Sequence, residues 1–149
     1  MKSRLLAALI GFAATGPALA EFPRVELSAG MHRIDAEFAD DMASRARGLM
    51  HRRQLAPQEG MLFAFPRDER HCMWMRNTLI PLSVAFLDDG GRIVNIERMA
   101  PRTEDSHCAS APARFALEMN QGWIAGRGLK AGDLIRGVAG LRAADAAYR

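Results

Sequence analysis

Ser83-Val84-Ala85-Phe86-Leu87-Asp88-Asp89-Gly90-Gly91-Arg92-Ile93-Val94-Asn95-Ile96-Glu97 decides the fold class. Residues 83–87 and 92–97 flank Asp88-Asp89-Gly90-Gly91, whose members tolerate positive φ, so the stretch reads as a hairpin. The same grammar runs outward in both directions. Toward the N-terminus, Val25, Leu27 and Ala29 alternate with Glu26 and Ser28 in residues 24–29, which suits a half-buried strand. Gly30 breaks it, and residues 31–38 alternate again through His32, Ile34, Ala36 and Phe38, a second hairpin. Asp40 or Asp41 then caps a short helix with Met42, Ala46, Leu49 and Met50 on one face. Gly48 weakens that helix by about 1 kcal/mol relative to Ala, a hint of close packing.

Further along, Pro57 to Gly60 turns, residues 61–65 read as a buried strand ended by Pro66, and residues 67–70 as a charged loop. Residues 71–76 are the next strand. A long polar loop, 99–112, carries Cys108. Residues 114–119 form a strand, 120–122 a turn, 123–127 one helical turn, 133–138 a last strand, and 142–149 a frayed tail. Seven or eight short strands joined by turns predict a mainly β chain: a single antiparallel barrel or sandwich with one or two short helices. No repeat or low-complexity tract interrupts it.

The first twenty residues read as a signal peptide. Lys2 and Arg4 form a positive start, residues 5–15 a short apolar core, and Ala18-Leu19-Ala20 a small-x-small cleavage site before Glu21. An uncleaved anchor is the alternative, but the run is short of the ~20 apolar residues that span a bilayer. Residues 21–141 are left as one β-rich domain, followed by the tail. Loss of Lys2 and Arg4 lowers the formal charge of +3 by two. No basic run suited to nucleic acid remains, His51-Arg52-Arg53 being the densest patch. The expected location is periplasmic or secreted.

Cys72 and Cys108 are the only cysteines. In an oxidising compartment an even pair tends to close, and the loop would be worth on the order of 4 kcal/mol in the chain-entropy model. Two buried thiols, or a metal-binding thiol, are the alternatives. A Cys-x-x-Cys redox motif is absent.

Residues 71–82, HCMWMRNTLIPL, concentrate distinctive chemistry. On a strand, His71, Met73 and Met75 share one face and Cys72, Trp74 and Arg76 the other. An imidazole with two thioethers is a soft donor set for Cu(I), although methionine more often fills cores. Asn77 and Thr78 either converge on a cleft or satisfy backbone groups in a turn. The block resembles the signature of a bacterial and archaeal family, domain of unknown function family 192: an aromatic-Trp-Met-(Lys/Arg)-Asn-Thr run, then Pro-Leu. Arg47-Gly48-Leu49-Met50, Gly60-Met61-Leu62-Phe63 and Leu117-Glu118 match three further pieces in order. The resemblance implies no established activity. Met73 stands where the pattern usually has an aromatic, and Ser83 where it often has Asp, which puts a carboxylate role there in doubt.

Arginine's flat fork of donors grips carboxylates and phosphates, so Arg45, Arg47 and Arg52 either pair internally with Glu118 or Glu59 or read an anion. No Gly-x-Ser-x-Gly elbow, His-Glu-x-x-His or phosphate-cradling loop is present. His32, His51, His71 and His107 make no metal-ligand spacing. These readings predict an exported binding or accessory protein for an unidentified small molecule or envelope component. Its groove would lie near Arg47, Trp74, Asn77, Thr78, Glu118 and Trp123. The alternatives are an envelope hydrolase with Glu118 or Glu59 as general base, and a Cu(I)-binding protein. No cofactor, no nucleic acid, no integral membrane segment and a monomeric state are expected.

Overall fold

Val25, Leu27 and Ala29 do alternate inward on β1 (Arg24–Ala29), and Gly30, at φ 59°, turns the chain into β2 (His32–Ala39). The pair is antiparallel, in register from Arg24 with Glu37 to Ala29 with His32. The structure, a computed structural model, describes residues 22–147. The expected signal peptide and Glu21 lie outside the described residues.

Asp41 caps α1 (Met42–Arg47): its carboxylate accepts from the Ser44 N–H at 2.8 Å, and its own N–H donates to Ser44 Oγ at 3.1 Å. Gly48, at φ 46°, ends the helix early. The expected apolar face therefore does not form on it: Met42 is exposed, and Leu49 is buried only after the chain has left the helix.

The remaining strands are β3 (Glu59–Glu69), β4 (Cys72–Met73), β5 (Leu82–Leu87), β6 (Ile93–Met99), β7 (His107–Cys108), β8 (Ala113–Asn120) and β9 (Ile135–Arg136). Seven of the nine form a curled half-barrel sheet in the order β6-β5-β8-β3-β2-β1-β9, and β4 pairs with β7 apart from it. The chain is mainly β, with one short helix and 3-10 turns, as the strand pattern predicts. One pair departs from the antiparallel rule. β2 and β3 run parallel, because the connection through residues 40–58, with α1 in it, returns the chain to the same end of the sheet. The outermost strands approach each other where Arg92 bridges Leu134 and the Ile135 N–H donates to the Gly91 carbonyl at 2.9 Å.

Four local expectations are corrected. Pro66 does not end its strand: β3 runs through residues 67–69, and Pro66 sits where the register with β8 shifts between Ala64 and Glu69, a place that needs no ladder N–H. Residues 71–76 yield only the two-residue β4. The chain then turns, with the Thr78 N–H on the Met75 carbonyl at 3.0 Å and Asn77 at φ 54°. The last strand shortens to β9. The tail is not frayed as far as residue 147: Ala143 is buried, the Ala144 N–H bonds the Asp40 carbonyl at 2.8 Å, and a 3-10 turn, Ala144–Ala147, follows.

The pleat divides the interior into two layers. Leu62, Leu117, Phe115, Leu87 and Ile34 face one, where Trp123 and Val138 join them. Met61, Phe63, Val84, Phe86 and Ala116 face the other, covered by Leu49, Leu55, Met73, Met75 and Ile80. The candidate site belongs to this second layer.

Candidate functional site

Glu118 breaks the apolar rule of its strand. Alternation along β8 places it beside Ala116 on the second layer, with Met61 opposite on β3 and Val84 opposite on β5. It is 4% exposed, and among the described residues no hydrogen bond or ion pair reaches its carboxyl. Burial pushes its pKa from 4.5 up to about 8, because a charge there loses its water without gaining a partner. At neutral pH the group is mostly the neutral acid, able to donate one hydrogen bond.

The expected Arg–Glu118 pair therefore does not exist. The buried carboxylate that takes arginine is Glu37 on β2, with Oε2 2.6 Å from Arg52 Nη2 and Oε1 3.6 Å from Arg24 Nη1. Sequence reading passed over Glu37 because it occupies a polar position in an alternating strand. Both faces of β2 are buried from Ala36 onward, and that placement is not written in the strand itself.

Glu118 lines a cavity of about 260 Å³. One wall comes from α1 and the turn after it: Met42, Arg45, Ala46, Arg47, Gly48, Leu49 and Met50. β3 supplies Phe63 and Phe65, and the segment after it Cys72, Met73, Trp74 and Thr78. All four sequence stretches that carry the family resemblance, well separated along the chain, thus send residues to one concavity. A Cβ on Gly48 would lie 3.3 Å from the Phe63 ring, so glycine lets this wall approach β3.

The polar groups of the rim are engaged. Arg45 donates from Nη2 to Asp145 Oδ2 at 2.5 Å and from Nη1 to the Ala64 carbonyl at 3.0 Å. The Arg47 guanidinium lies 3.9 Å from the centre of the Phe22 ring. Trp74 is 46% exposed, with the Arg76 guanidinium 4.6 Å from its ring centre. The buried Thr78 hydroxyl donates to the Arg76 carbonyl at 3.3 Å, so it serves the turn.

Two expected members stand elsewhere. Asn77 lines a separate cavity of about 220 Å³ with His51, Arg76 and Arg102, and its carbonyl accepts from the His51 N–H at 2.9 Å. The turn that ends the extended segment carries it away from the cavity that Arg47 and Thr78 line. Trp123 is buried in the first layer, its ring 3.9 Å from the Arg127 guanidinium and 6.3 Å from His32. Glu59, the second carboxylate considered, lies 3.3 Å from Arg24 and borders a third concavity.

Cys72 and Cys108 face each other across β4 and β7 and form a disulfide. His71 stacks on Phe65 at 3.8 Å between ring centres, with Nε2 2.9 Å from the Arg67 carbonyl, while Met73 and Met75 are buried in the second layer. The methionines thus do the packing work open to them on sequence grounds. Ser83 is buried opposite Met119, on the sheet face away from Glu118. Among the described residues no group of three His, Cys, Asp or Glu side chains is placed to hold a metal ion. No helix among them is long and apolar enough to cross a membrane.

A family model, DUF192, described as uncharacterized ACR, matches residues 25–137. No curated protein matches. Two crystal structures are similar throughout. One is of a protein presumed to be a transcription regulator from Sinorhizobium meliloti 1021: 35% identity, 80% of this chain and 98% of that one covered, TM-score 0.75. The other is of a protein of unknown function from Novosphingobium aromaticivorans DSM 12444: 34% identity, 87% and 99% covered, TM-score 0.68.

Proposed function

The chain belongs to the DUF192 family, and from that premise we propose an exported binding or accessory protein that holds a small molecule between α1 and Trp74. One observation carries the reading: Glu118 is buried, has no partner among the described residues, and lines the cavity. The carboxyl faces the cavity, and taking such a group out of bulk water without a protein partner costs about 1–3 kcal/mol, which an apolar side chain at the same place would avoid. A ligand that accepts its proton removes that penalty, and apolar walls with few polar groups are the usual make-up of small-molecule sites. The leader-like residues 1–20 and the disulfide both fit an oxidising compartment outside the cytoplasm.

The hydrolase alternative is less well supported. Glu118 has the raised carboxyl that reading asks for, but Arg45, which would have to steady an oxyanion, is held by Asp145 and the Ala64 carbonyl. Glu59 lies away from the cavity, beside Arg24. Copper binding by His71, Met73 and Met75 would have to draw Met75 out of the packed layer and part His71 Nε2 from the Arg67 carbonyl. A regulator role like that ascribed to the Sinorhizobium protein draws little support here, since Arg24, Arg33, Arg45, Arg52 and Arg76 all face carboxylates.

Trp74 at the rim is a built-in reporter. In a Trp123→Phe background, envelope-derived small molecules such as muropeptide fragments are titrated against its emission. A saturable change that disappears in Glu118→Leu supports the reading. A folded protein whose Trp74 responds to none of them refutes it.

A further inference from the structure

We propose that this cavity selects an uncharged ligand: a compact molecule with an apolar body whose carbonyl oxygen accepts a hydrogen bond from the Glu118 carboxyl. The inference rests on the binding reading above and adds the chemical class. It follows from what surrounds each end of the cavity.

At the Glu118 end the neighbours are Met61 and Val84 on the flanking strands and Phe63 one pleat along. None of them can solvate an ion. A cation would need Glu118 ionised beside it. It would also enter past Arg47 on the α1 wall, and like charge disfavours that approach. An anion would need a cation to receive it. The Arg45 fork is already closed on Asp145 and the Ala64 carbonyl, and Arg47 is engaged as well, over the Phe22 ring. What the cavity offers an incoming group is thus one hydrogen-bond donor set in aromatic and thioether walls. An amide or ketone carbonyl on a flat or aliphatic body matches it.

Such a contact lasts only while Glu118 keeps its proton. The charged groups on the elements packed around it are few. α1 contributes Arg45 and Arg47. β2 contributes Glu37, held by Arg52 and Arg24, and β3 begins with Glu59, held by Arg24. The parts of β5 and of residues 72–75 that face this layer bring no titratable side chain. No histidine lines the cavity. The pH dependence of capture is therefore that of Glu118 itself.

Benzamide, benzoate and benzylamine share a ring and differ in charge, so they separate the possibilities. Binding of each to the full mature chain is read by ligand-observed NMR together with Trp74 emission. Benzamide is expected to bind best at about pH 6, and its affinity to fall more than about tenfold above pH 9 as the carboxyl ionises. Glu118→Gln keeps an N–H donor and should retain benzamide binding with a flat pH profile, whereas Glu118→Leu should lose it. Stronger binding of benzoate or benzylamine overturns the proposal, as does a pH-independent benzamide affinity in the unaltered protein. If all three probes fail while muropeptide fragments still perturb Trp74, the neutral-carbonyl class is wrong and the binding reading stands; if both sets fail, the binding reading falls first.

Discussion

The Arg45 guanidinium and the Asp145 carboxylate, one hundred residues apart in sequence, meet as a two-bond fork at 2.5 and 3.2 Å. The same Arg45 donates to the Ala64 carbonyl, so the C-terminal turn, α1 and β3 are tied together at the wall of the cavity. The two side chains are only 15% and 31% exposed, which sets this pair apart from the surface pairs elsewhere. Asp145→Asn is expected to lower stability by about 1–3 kcal/mol in thermal or denaturant unfolding, and to open residues 142–147 to proteolysis. The hydrogen bond from Arg45 holds the Asp145 carboxyl below its usual 3.8. The pair's contribution is therefore complete above the unfolded-state value and is lost as pH falls through the lower folded one. Unfolding followed down an acid series should show Asp145→Asn losing less stability than the unaltered chain.

Glu118 predicts the opposite slope. Its folded pKa, about 8, lies above its ordinary 4.5, so between those values the unfolded chain has released a proton that the folded one still holds. Stability from this group is greatest below the ordinary value, declines as pH rises through the window, and levels off above the folded value. The expected slope is of order 1 kcal/mol per pH unit. Glu118→Gln should flatten it and be the more stable protein near pH 8. Melting curves at acid, neutral and alkaline pH decide the point; parallel curves for the two proteins would mean that Glu118 is not the titrating group.

The disulfide predicts a coupling between redox state and site. β4 and β7 are two residues each and pair only with one another, so the Cys72–Cys108 link is a principal restraint on the segment that carries Trp74. Replacing both cysteines by serine opens a span of 36 residues and is expected to cost up to about 4 kcal/mol in the chain-entropy model. Trp74 anisotropy should fall in the double variant, and so should affinity for any probe that perturbs Trp74. An unchanged anisotropy would assign the restraint to Met73, Met75 and the turn at Thr78 instead.

Legibility of the fold tracks how local its causes are. The β1–β2 and β5–β6 hairpins follow from alternation and the turn residues between the strands, all within about fifteen positions of one another. The parallel β2–β3 pair does not, since it depends on where α1 delivers the chain. The segment at Trp74 is instructive. Met73 and Met75 are buried while Cys72, Trp74 and Arg76 are exposed, so the face assignment from the pleat holds, although only two residues pair as a strand. That logic stops where the extension stops. The bond from the Thr78 N–H to Met75 closes a turn, and Asn77 leaves the cavity that Thr78 and Trp74 share. Trp123, expected at the groove, is held in the core by the first layer instead. Glu118 was legible as a carboxyl in a buried strand. Its lack of a partner was not, because Arg45 was claimed by Asp145, at the far end of the chain.

Gly48 offers a test of how tightly α1 is seated. Its φ of 46° with ψ of −139° is a conformation that side chains rarely adopt, and an added Cβ would press on the Phe63 ring at 3.3 Å. Both residues line the cavity, so relief can come only by moving α1 away from β3 or by turning the Phe63 ring. Gly48→Ala is expected to cost about 1–3 kcal/mol and to weaken any ligand that reaches Glu118. Gly126 supplies the control. It lies in the 3-10 turn Ala125–Arg127 with nothing within 4 Å of its would-be Cβ and without a positive φ, so Gly126→Ala should be neutral or slightly stabilising. Thermal unfolding of the two variants side by side separates strain at one site from a general intolerance of the fold. Equal melting temperatures would show that the α1 wall has room to yield, and the cavity would then have to be treated as adjustable in width.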